Sequence, residues 1–389
     1  MVRVCRRKWE PGEETAMAGR RSAGRPTIAD VAARAGVGAI TVSRTLRDPQ
    51  KVSPDLRRII EQAIADLNYI PNLNARALAS RRTDVVAVLV PSLTQNIFSD
   101  VLRGIYDGVE DSGLRIDIAN TRYNAQREED HISAILRHRP AAIIVSGVEQ
   151  TAACRKMLES AGCPVVQIMD LTTDPIQKII GFSHEAAGLH MTRHLIEAGY
   201  RRIAFFAGWM NARSKQRFEG YRRALEEADI LDPGLVGLMG NDDQDSSRGA
   251  RQDYHQFSTA MMGRKLMLHM LDTRPDIDAV FCNNDVLSIG ALFACYARGV
   301  PVPQQVGIAG FNDFDYMEAA SPALSSVRIH RWQCGYDAMQ AVRHQLNGGD
   351  IGEPVVDLGF DIMKRQSTDR NGLLAGEVET AGAIPYIQG

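Results

Sequence analysis

Seven short apolar runs, alternating with amphipathic helical segments, constrain the fold of this chain more than any other feature. The runs are rich in β-branched residues and occupy positions 85–90, 114–120, 141–146, 164–169, 202–208, 278–282 and 306–311. Buried strands that alternate with helices are typical of parallel sheets covered on both faces. We therefore predict an α/β fold with two lobes, each a doubly wound parallel sheet. A ligand is expected beyond the carboxyl ends of the strands, in the cleft between the lobes.

A separate helical domain is predicted ahead of these runs. Within residues 27–67, apolar residues keep helical spacing in three short blocks. Gly36 stands between the first two blocks, where a tight turn needs a residue that tolerates positive φ. Ser53 and Pro54 predict the start of the third helix, as its N-cap and its first-turn proline. Two short helices around a glycine turn are typical of a helix-turn-helix, whose second helix enters the major groove of DNA.

The second of these helices carries the residues expected to read DNA. Val42 and Leu46 face inward, which leaves on the outside Ala39, Ile40, Ser43, Arg44 and Arg47. Arg44 is the best candidate for base recognition, because a guanidinium can bond to both O6 and N7 of guanine. The hydroxyl groups of Thr41 and Ser43 suit phosphate oxygens.

Charge and cysteine usage limit the class of protein further. The net charge is only −2, yet residues 1–83 hold 16 Lys and Arg against eight Asp and Glu. A basic segment of this kind suits a polyanion, although by charge alone it is equally typical of a solvated tail. The six cysteines include no C-x-x-C pair, so we expect reduced thiols in a cytoplasmic protein. No apolar run approaches the length of a membrane span.

We divide the chain into five segments by sequence. Residues 1–25 form a basic arm that lacks the apolar stretch of a signal peptide, is expected to be disordered, and need not all be present in vivo. The other segments are a helix-turn-helix domain (26–71), a hinge helix or linker (72–83), a two-lobed effector-binding and dimerisation domain (84–350), and a C-terminal part with the last strand or strands and a flexible tail (351–389). The hinge is too short for a stable isolated helix, so a helix there must be held by a partner or by DNA.

The motifs TIADVAARAGV, TVSR, NYIPN and ARAL resemble those of the LacI family of repressors, and the resemblance runs from about residue 26 to 346. It implies that Ala39 and Ile40 occupy two variable base-reading positions and that Arg44 occupies the shared one. It also implies that Leu78 wedges between base pairs in the minor groove and kinks the duplex. The DNA-binding candidates are Thr27, Ala39, Ile40, Thr41, Ser43, Arg44, Tyr69, Asn72, Ala75 and Leu78. Because alanine and isoleucine cannot form hydrogen bonds with bases, the operator sequence cannot be read from this helix.

The resemblance implies a periplasmic-sugar-binding-protein architecture for the larger part, with an effector in the interlobe cleft. The matching positions are Ser92, Ile97, Phe98, Asp170, Arg217, Asn284, Asn312 and Asp313. They suit a polyol, because amides and carboxylates bond hydroxyls, Phe98 could stack on a sugar face, and Arg217 offers a fork for a carboxylate. Structural alternatives stay open: Asn284, Asp285 and Asp313 could cap helices. Arg217 could bridge the lobes, and Phe98 could belong to the core.

Asn312 gives a hint about the effector class. Family members normally carry an acid at this position, and its loss removes repulsion toward an anionic ligand. Together with the segments PSLTQNIFSDVLRGI, VVQIMD and FCNND, this makes the chain most similar to gluconate-operon repressors. We therefore expect a sugar acid such as gluconate, with a neutral sugar or a nucleobase as alternatives.

The expected partners are a palindromic operator, the small-molecule effector and a second copy of the chain. Whether the effector releases or promotes DNA binding, and whether the dimer assembles further, stay open. No G-x-G-x-x-G follows the first strand, and neither G-x-x-x-x-G-K-[ST] nor G-x-S-x-G occurs. We therefore expect no enzyme activity, no cofactor and no metal site. A sugar-binding or sugar-modifying protein without a DNA role is the alternative class.

Overall fold

The computed structural model describes residues 26–69, 83–238 and 258–372. Contacts divide the chain into two compact units, Met1–Ser80 and Arg81–Gly389. The predicted arm, nearly all of the predicted hinge segment, and the DNA-binding candidates Asn72, Ala75 and Leu78 lie outside the described residues.

The first unit contains the three predicted helices, α1 (Ile28–Ala35), α2 (Ala39–Arg47) and α3 (Pro54–Asp66). A capping box begins α1: the Thr27 hydroxyl accepts a hydrogen bond from the Asp30 backbone N–H, and the Thr27 N–H donates to the Asp30 carboxylate at 2.8 Å. Gly36 ends α1 with a φ of 67°, which confirms the predicted left-handed turn. Ser53 is the N-cap residue of α3 as predicted, but its side chain forms no capping hydrogen bond.

A small apolar core holds these helices together. Val31, Val42 and Ile60 are fully buried, one from each helix, and Tyr69 is 8% exposed. Burial thus follows the helical spacing of the sequence, with one face of α2 packed inward and the other left exposed.

The second unit contains the predicted strands and helices. Its strands are β1 (Val85–Val90), β2 (Arg115–Asn120), β3 (Ala142–Ser146), β4 (Val165–Ile168), β5 (Lys178–Gly181), β6 (Ile203–Ala207), β7 (Val236–Leu238), β8 (Ala279–Cys282), β9 (Gly307–Asn312), β10 (Ser325–Ile329), β11 (Val355–Asp357) and β12 (Phe360–Met363). Its helices are α4 (Asn96–Val109), α5 (Ala125–Arg137), α6 (Ala152–Glu159), α7 (His184–Glu197), α8 (Ala212–Glu227), α9 (Ala260–Thr273), α10 (Asp285–Arg298), α11 (Asp315–Ala319) and α12 (Arg331–Leu346). All seven predicted strands are present, each within one residue at either end.

Two sheets define two lobes, which confirms the predicted fold class. Within the described residues, the sheet of lobe 1 has the order β11-β5-β4-β3-β1-β2 and that of lobe 2 the order β12-β10-β9-β8-β6-β7. All neighbours are parallel except β10 and β12, which are antiparallel. The chain passes between the lobes after β5, after β10 and after β11, so that α7 packs with α8 in lobe 2 and α12 packs with α4 in lobe 1.

The sequence-based prediction missed three strands, β5, β7 and β10, because they are short or carry polar residues, whereas β11 and β12 lie in the C-terminal part where the last strands were expected without bounds. In β5 the buried Lys178 ammonium donates to the Ile351 carbonyl at 3.0 Å. In β10 the buried Ser326 hydroxyl donates to the Asp285 carboxylate at 2.7 Å, and Ser325 bonds to Thr368. These polar residues occupy the sheet because each finds a hydrogen-bond partner inside the protein.

No helix within the three described ranges is long and apolar enough to cross a membrane. The same ranges contain no group of three or more His, Cys, Asp or Glu side chains placed to hold a metal ion.

Candidate functional site

The exposed face of α2 is the candidate DNA-reading surface. Ile40 is 76% exposed, Ala39, Ser43 and Arg44 are exposed, and Val42 is fully buried. Arg44 forms no salt bridge with another residue in the described part of the chain. The predicted outward orientation of these four residues is confirmed, and their guanidinium, hydroxyl and methyl groups are available to an external ligand.

The other described DNA-binding candidates also have structural roles. The Thr27 hydroxyl donates to Asp30 at 2.7 Å within the cap of α1, and Tyr69 packs in the core of the unit. Thr41 is half-buried, and its carbonyl accepts a hydrogen bond from the Thr45 hydroxyl at 2.9 Å. Contacts of these residues with the phosphate backbone stay predictions.

Two cavities lie where the strands of both lobes end, in the second unit. The first has a volume of about 270 Å³ and is lined by Gln95 and Ile97 from lobe 1 and by residues that follow β6, β8 and β9 in lobe 2. The second has a volume of about 350 Å³ and includes residues that follow β2, β3 and β4. Both cavities are lined by Tyr123, Trp209, Asn211 and Arg213. This position matches the predicted interlobe cleft.

Five of the eight predicted effector residues line these cavities. Ile97, Arg217, Asn284 and Asn312 line the first cavity, and Asp170 lines the second. Asn284 also has the alternative role considered for it, because its side-chain oxygen caps α10 by accepting from the Leu287 N–H at 3.1 Å.

Ser92, Phe98 and Asp313 require correction, because none of them lines either cavity. Phe98 is 1% exposed and belongs to the core that α4 forms with the sheet of lobe 1. The Ser92 hydroxyl accepts from the Gln95 N–H at 3.1 Å and shapes the loop that carries Gln95 to the cavity. The Asp313 carboxylate is buried in an ion pair with Arg365 at 2.6 Å.

Asp285 also has a structural role. Its buried carboxylate accepts hydrogen bonds from the Phe314 N–H at 2.9 Å and the Ser326 hydroxyl at 2.7 Å, which ties α10 to β10. Burial raises the pKa of Asp285 to about 6.

Arg217 contributes a buried positive charge to the first cavity. Its guanidinium lies 3.6 Å above the Phe311 ring, and its Nε donates to His184 Nδ1 at 3.2 Å. Because His184 Nδ1 is the acceptor, its Nε2 carries the proton and donates to the Met169 carbonyl at 3.1 Å. Burial and the nearby charge of Arg213 lower the pKa of Arg217 to about 9. These contacts of Arg217 lie within lobe 2, and His184 makes the further contact with Met169 of lobe 1, so they do not support the alternative that Arg217 bridges the lobes on its own.

Arg213 is the main site residue that the sequence analysis missed. It lies on α8 in lobe 2, yet its Nε donates to the Asp170 carboxylate of lobe 1 at 2.6 Å and its Nη2 donates to Ser146 at 2.9 Å. Asp170 is 2% exposed, and burial raises its pKa although Arg213 lowers it. The spacing of Arg213 and Arg217 on α8, four residues apart, is the sequence signal that could have identified this residue.

Two aromatic rings missed by the sequence analysis also meet across the cleft. Tyr123 follows β2 in lobe 1, Trp209 follows β6 in lobe 2, and their ring centroids are 5.4 Å apart in an edge-to-face arrangement. The Tyr123 hydroxyl donates to the Gln95 side chain at 2.7 Å. These rings take the place of Phe98 as the apolar walls of the cleft.

Asn312 offers an unused hydrogen-bond acceptor at the wall of the first cavity. Its side-chain oxygen is buried and has no partner among the described residues, and its backbone has a φ of 114°, which is rare for a residue other than glycine. Arg331 donates to the Asn312 carbonyl and, at 2.9 Å, to Asp100 of lobe 1. A hydroxyl group in the cavity would satisfy the buried oxygen.

Comparisons with known proteins agree with this architecture. Residues 27–72 match the model of the bacterial regulatory proteins, lacI family, and residues 192–368 match the periplasmic binding protein-like domain. The chain is 37% identical over 348 residues to the HTH-type transcriptional regulator GntR of Pseudomonas aeruginosa, covering 90% of this chain and 97% of that protein. A crystal structure of a LacI family transcriptional regulator from Silicibacter pomeroyi is 32% identical with a TM-score of 0.79, covering 89% of this chain and 100% of that one. The transcription regulator GntR from Chromobacterium violaceum is 35% identical with a TM-score of 0.67, covering 73% and 99%.

A helix-turn-helix unit followed by a two-lobed binding domain defines a class of effector-responsive transcription regulators. The chain belongs to the LacI family of bacterial regulators. It is a DNA-binding transcriptional repressor, and its relatives are regulators rather than enzymes, as the sequence motifs predicted.

Proposed function

We propose that a sugar acid, gluconate or a close relative, binds in the cleft of this repressor and lowers its affinity for operator DNA. The observation that carries the proposal is the charge of the first cavity. Among the described residues that line it, Arg213 and Arg217 are the only charged ones. Arg217 is buried and Arg213 is half-buried, and of the two only Arg213 contacts a carboxylate. An anionic ligand would supply the missing negative charge.

The position of the two arginines supports an anion further. Both lie in the first two turns of α8, which begins after the N-cap residue Asn211. The N-terminal end of a helix carries a partial positive charge, which adds to that of the guanidinium groups. A carboxylate bound in the first cavity would also offset the burial and the charge of Arg213, which together lower the pKa of Arg217.

The remaining lining suits the hydroxyl groups of a sugar acid. Gln95, Asn283, Asn284 and Asn312 place side-chain amides around the first cavity, and the Asn312 oxygen still lacks a donor. Amides both donate and accept hydrogen bonds, as successive hydroxyls require. A volume of about 270 Å³ lies near the lower end for ligand sites and suits a small ligand. The resemblance to gluconate-operon repressors, and the similarity to two proteins named GntR, support the same choice.

We further propose that the repressor acts in the cytoplasm as a homodimer on a palindromic operator, with segment 72–83 as the hinge. Phe293 and Tyr296, three residues apart on α10, are 51% and 54% exposed and supply an apolar surface for the second copy.

Arg44 is proposed to read a base, so Arg44→Ala should cost about 1–3 kcal/mol of operator affinity at one base pair. Leu78→Ala should weaken binding through loss of the kink.

Thermal melting of the full-length chain against a ligand panel tests the effector. The panel contains gluconate, the neutral polyol glucitol, glucose and adenine. A ligand at about 100 times its Kd stabilises the folded state by about 2.7 kcal/mol, so gluconate should raise the melting temperature, glucitol at the same concentration should raise it less, and glucose and adenine should leave it unchanged. A shift with glucose or adenine but none with gluconate would refute the proposal.

A further inference from the structure

Arg213 and Asp170 form an ion pair that crosses the cleft between the two lobes. Arg213 belongs to α8 of lobe 2, whereas Asp170 and Ser146 follow strands of lobe 1. Arg213 lines both cavities, and its side chain is only 12% exposed. A ligand that spans the cleft must therefore contact the Arg213 guanidinium, which is already hydrogen-bonded to the Asp170 carboxylate.

We propose that Asp170 is an internal substitute for the effector's carboxylate: the sugar acid displaces Asp170 from Arg213, and Asp170 then binds a proton from solvent. The inference rests on the proposed function, and it assigns the recognition of the effector's charge to Arg213. The only covalent bond formed is the O–H bond of the Asp170 carboxyl group, whose proton comes from solvent. One ion pair replaces another, and the displaced carboxylate becomes neutral.

The surroundings of Asp170 favour its protonation once Arg213 is lost. Its side chain is 3% exposed, and burial already raises its pKa while the ion pair is intact. Removal of the partner leaves a buried carboxylate without its strongest counter-charge, and such groups take up a proton. The cross-cleft pair also disappears, so effector binding changes a contact that joins the two lobes.

The other ionisable groups that face Asp170 do not replace it as the proton acceptor. His184 Nε2 lies 3.5 Å from the Asp170 carboxylate, but burial and then the charge of Arg217 hold the pKa of His184 well below its usual value. Arg217 is already protonated, and Tyr123 has a pKa raised by burial. Glu149 has a pKa raised by burial and by the charge of Asp170, so neutralising Asp170 makes Glu149 less inclined to bind a proton.

Calorimetric titration of the full-length chain with gluconate and with glucitol, at several values between about pH 6 and pH 8, tests the exchange. Gluconate stays ionised over this range, because an ordinary carboxyl group titrates near pH 4. Proton uptake on binding should therefore raise the affinity for gluconate as the pH falls, by up to about tenfold per pH unit. The affinity for glucitol should not depend on pH.

Three variants and one matched control identify the residues responsible. Arg213→Gln should lower the gluconate affinity about 10- to 100-fold and lower that for glucitol by much less, since one charge-assisted interaction is lost only with the acid. Asp170→Asn should remove the pH dependence and tighten gluconate binding at pH 8. Arg223→Gln, the same substitution at an exposed position of the same helix, is the matched control and should change neither affinity. Arg213→Lys keeps the charge and should fall between wild type and Arg213→Gln.

The outcomes separate this inference from the proposed function. If the wild-type chain binds no sugar acid, the proposed function fails. If it binds gluconate but Arg213→Gln and Arg213→Lys bind gluconate as tightly, or Asp170→Asn keeps the pH dependence, the exchange is wrong and the proposed function stands. Melting curves recorded for every variant show whether a lost affinity reflects unfolding instead, and Arg213→Lys then decides the result.

Discussion

Val42 and Ile40 lie two residues apart on α2 and provide a matched test of how the first unit is built. Val42 is fully buried in the small core, whereas Ile40 is 76% exposed. Val42→Ala removes two methyl equivalents from the core, which costs about 1.6 kcal/mol in transfer free energy and somewhat more for the cavity that remains. We expect a destabilisation of about 2 kcal/mol. This is a large part of the free energy of unfolding, about 3–5 kcal/mol, that a core of this size typically supplies.

Hydrogen exchange of the full-length chain, measured by mass spectrometry, shows whether this loss of stability is confined to the first unit. A loss of about 2 kcal/mol should speed the exchange of the α2 amides about 30-fold, while peptides from the second unit exchange as in wild type. Ile40→Ala should leave exchange unchanged, because its side chain is already in water. Equal acceleration in both variants, or none in Val42→Ala, would contradict the packing of α2 described above.

Two further predictions concern buried carboxylates of lobe 2. Asp313→Asn removes the buried carboxylate charge that pairs with Arg365 at 2.6 Å and with Arg328 at 2.8 Å, so the free energy of unfolding measured with urea should fall by about 3–5 kcal/mol. Asp285 has a pKa raised by burial to about 6; its contribution to stability is fully present below the unfolded pKa near 4 and is lost as the pH rises through about 6. Unfolding free energies of wild type should therefore fall across this window relative to those of Asp285→Asn, and parallel curves would contradict the prediction.

Much of the fold was predictable, because burial leaves a periodic trace in the sequence. The run at 85–90 is apolar throughout and forms β1 at the same residues. The strand β10 was missed because Ser325 and Ser326 are buried through hydrogen bonds to partners 43 and 41 positions away. A sequence read locally does not reveal such partners, so these serines looked like loop residues.

The candidate site was predictable in position but not in detail. The rule that ligands bind beyond strand ends pointed to Asn284 and Asn312, and both residues line the first cavity. Ile97 and Phe98 are adjacent, yet only Ile97 lines the cavity, because the direction of α4 decides which of the two faces the core. Arg213 was missed because its partner Asp170 is 43 residues away and in the other lobe.

Operator affinity with and without effector tests the central claim most directly. The full-length chain is titrated onto a labelled DNA fragment from its own promoter region, and binding is followed by fluorescence anisotropy at fixed salt, because phosphate contacts make affinity salt-dependent. Saturating gluconate should weaken binding to this fragment, and the same concentration of glucitol should not. Unchanged affinity in gluconate, or an equal loss with glucitol, would contradict a sugar-acid effector in the cleft.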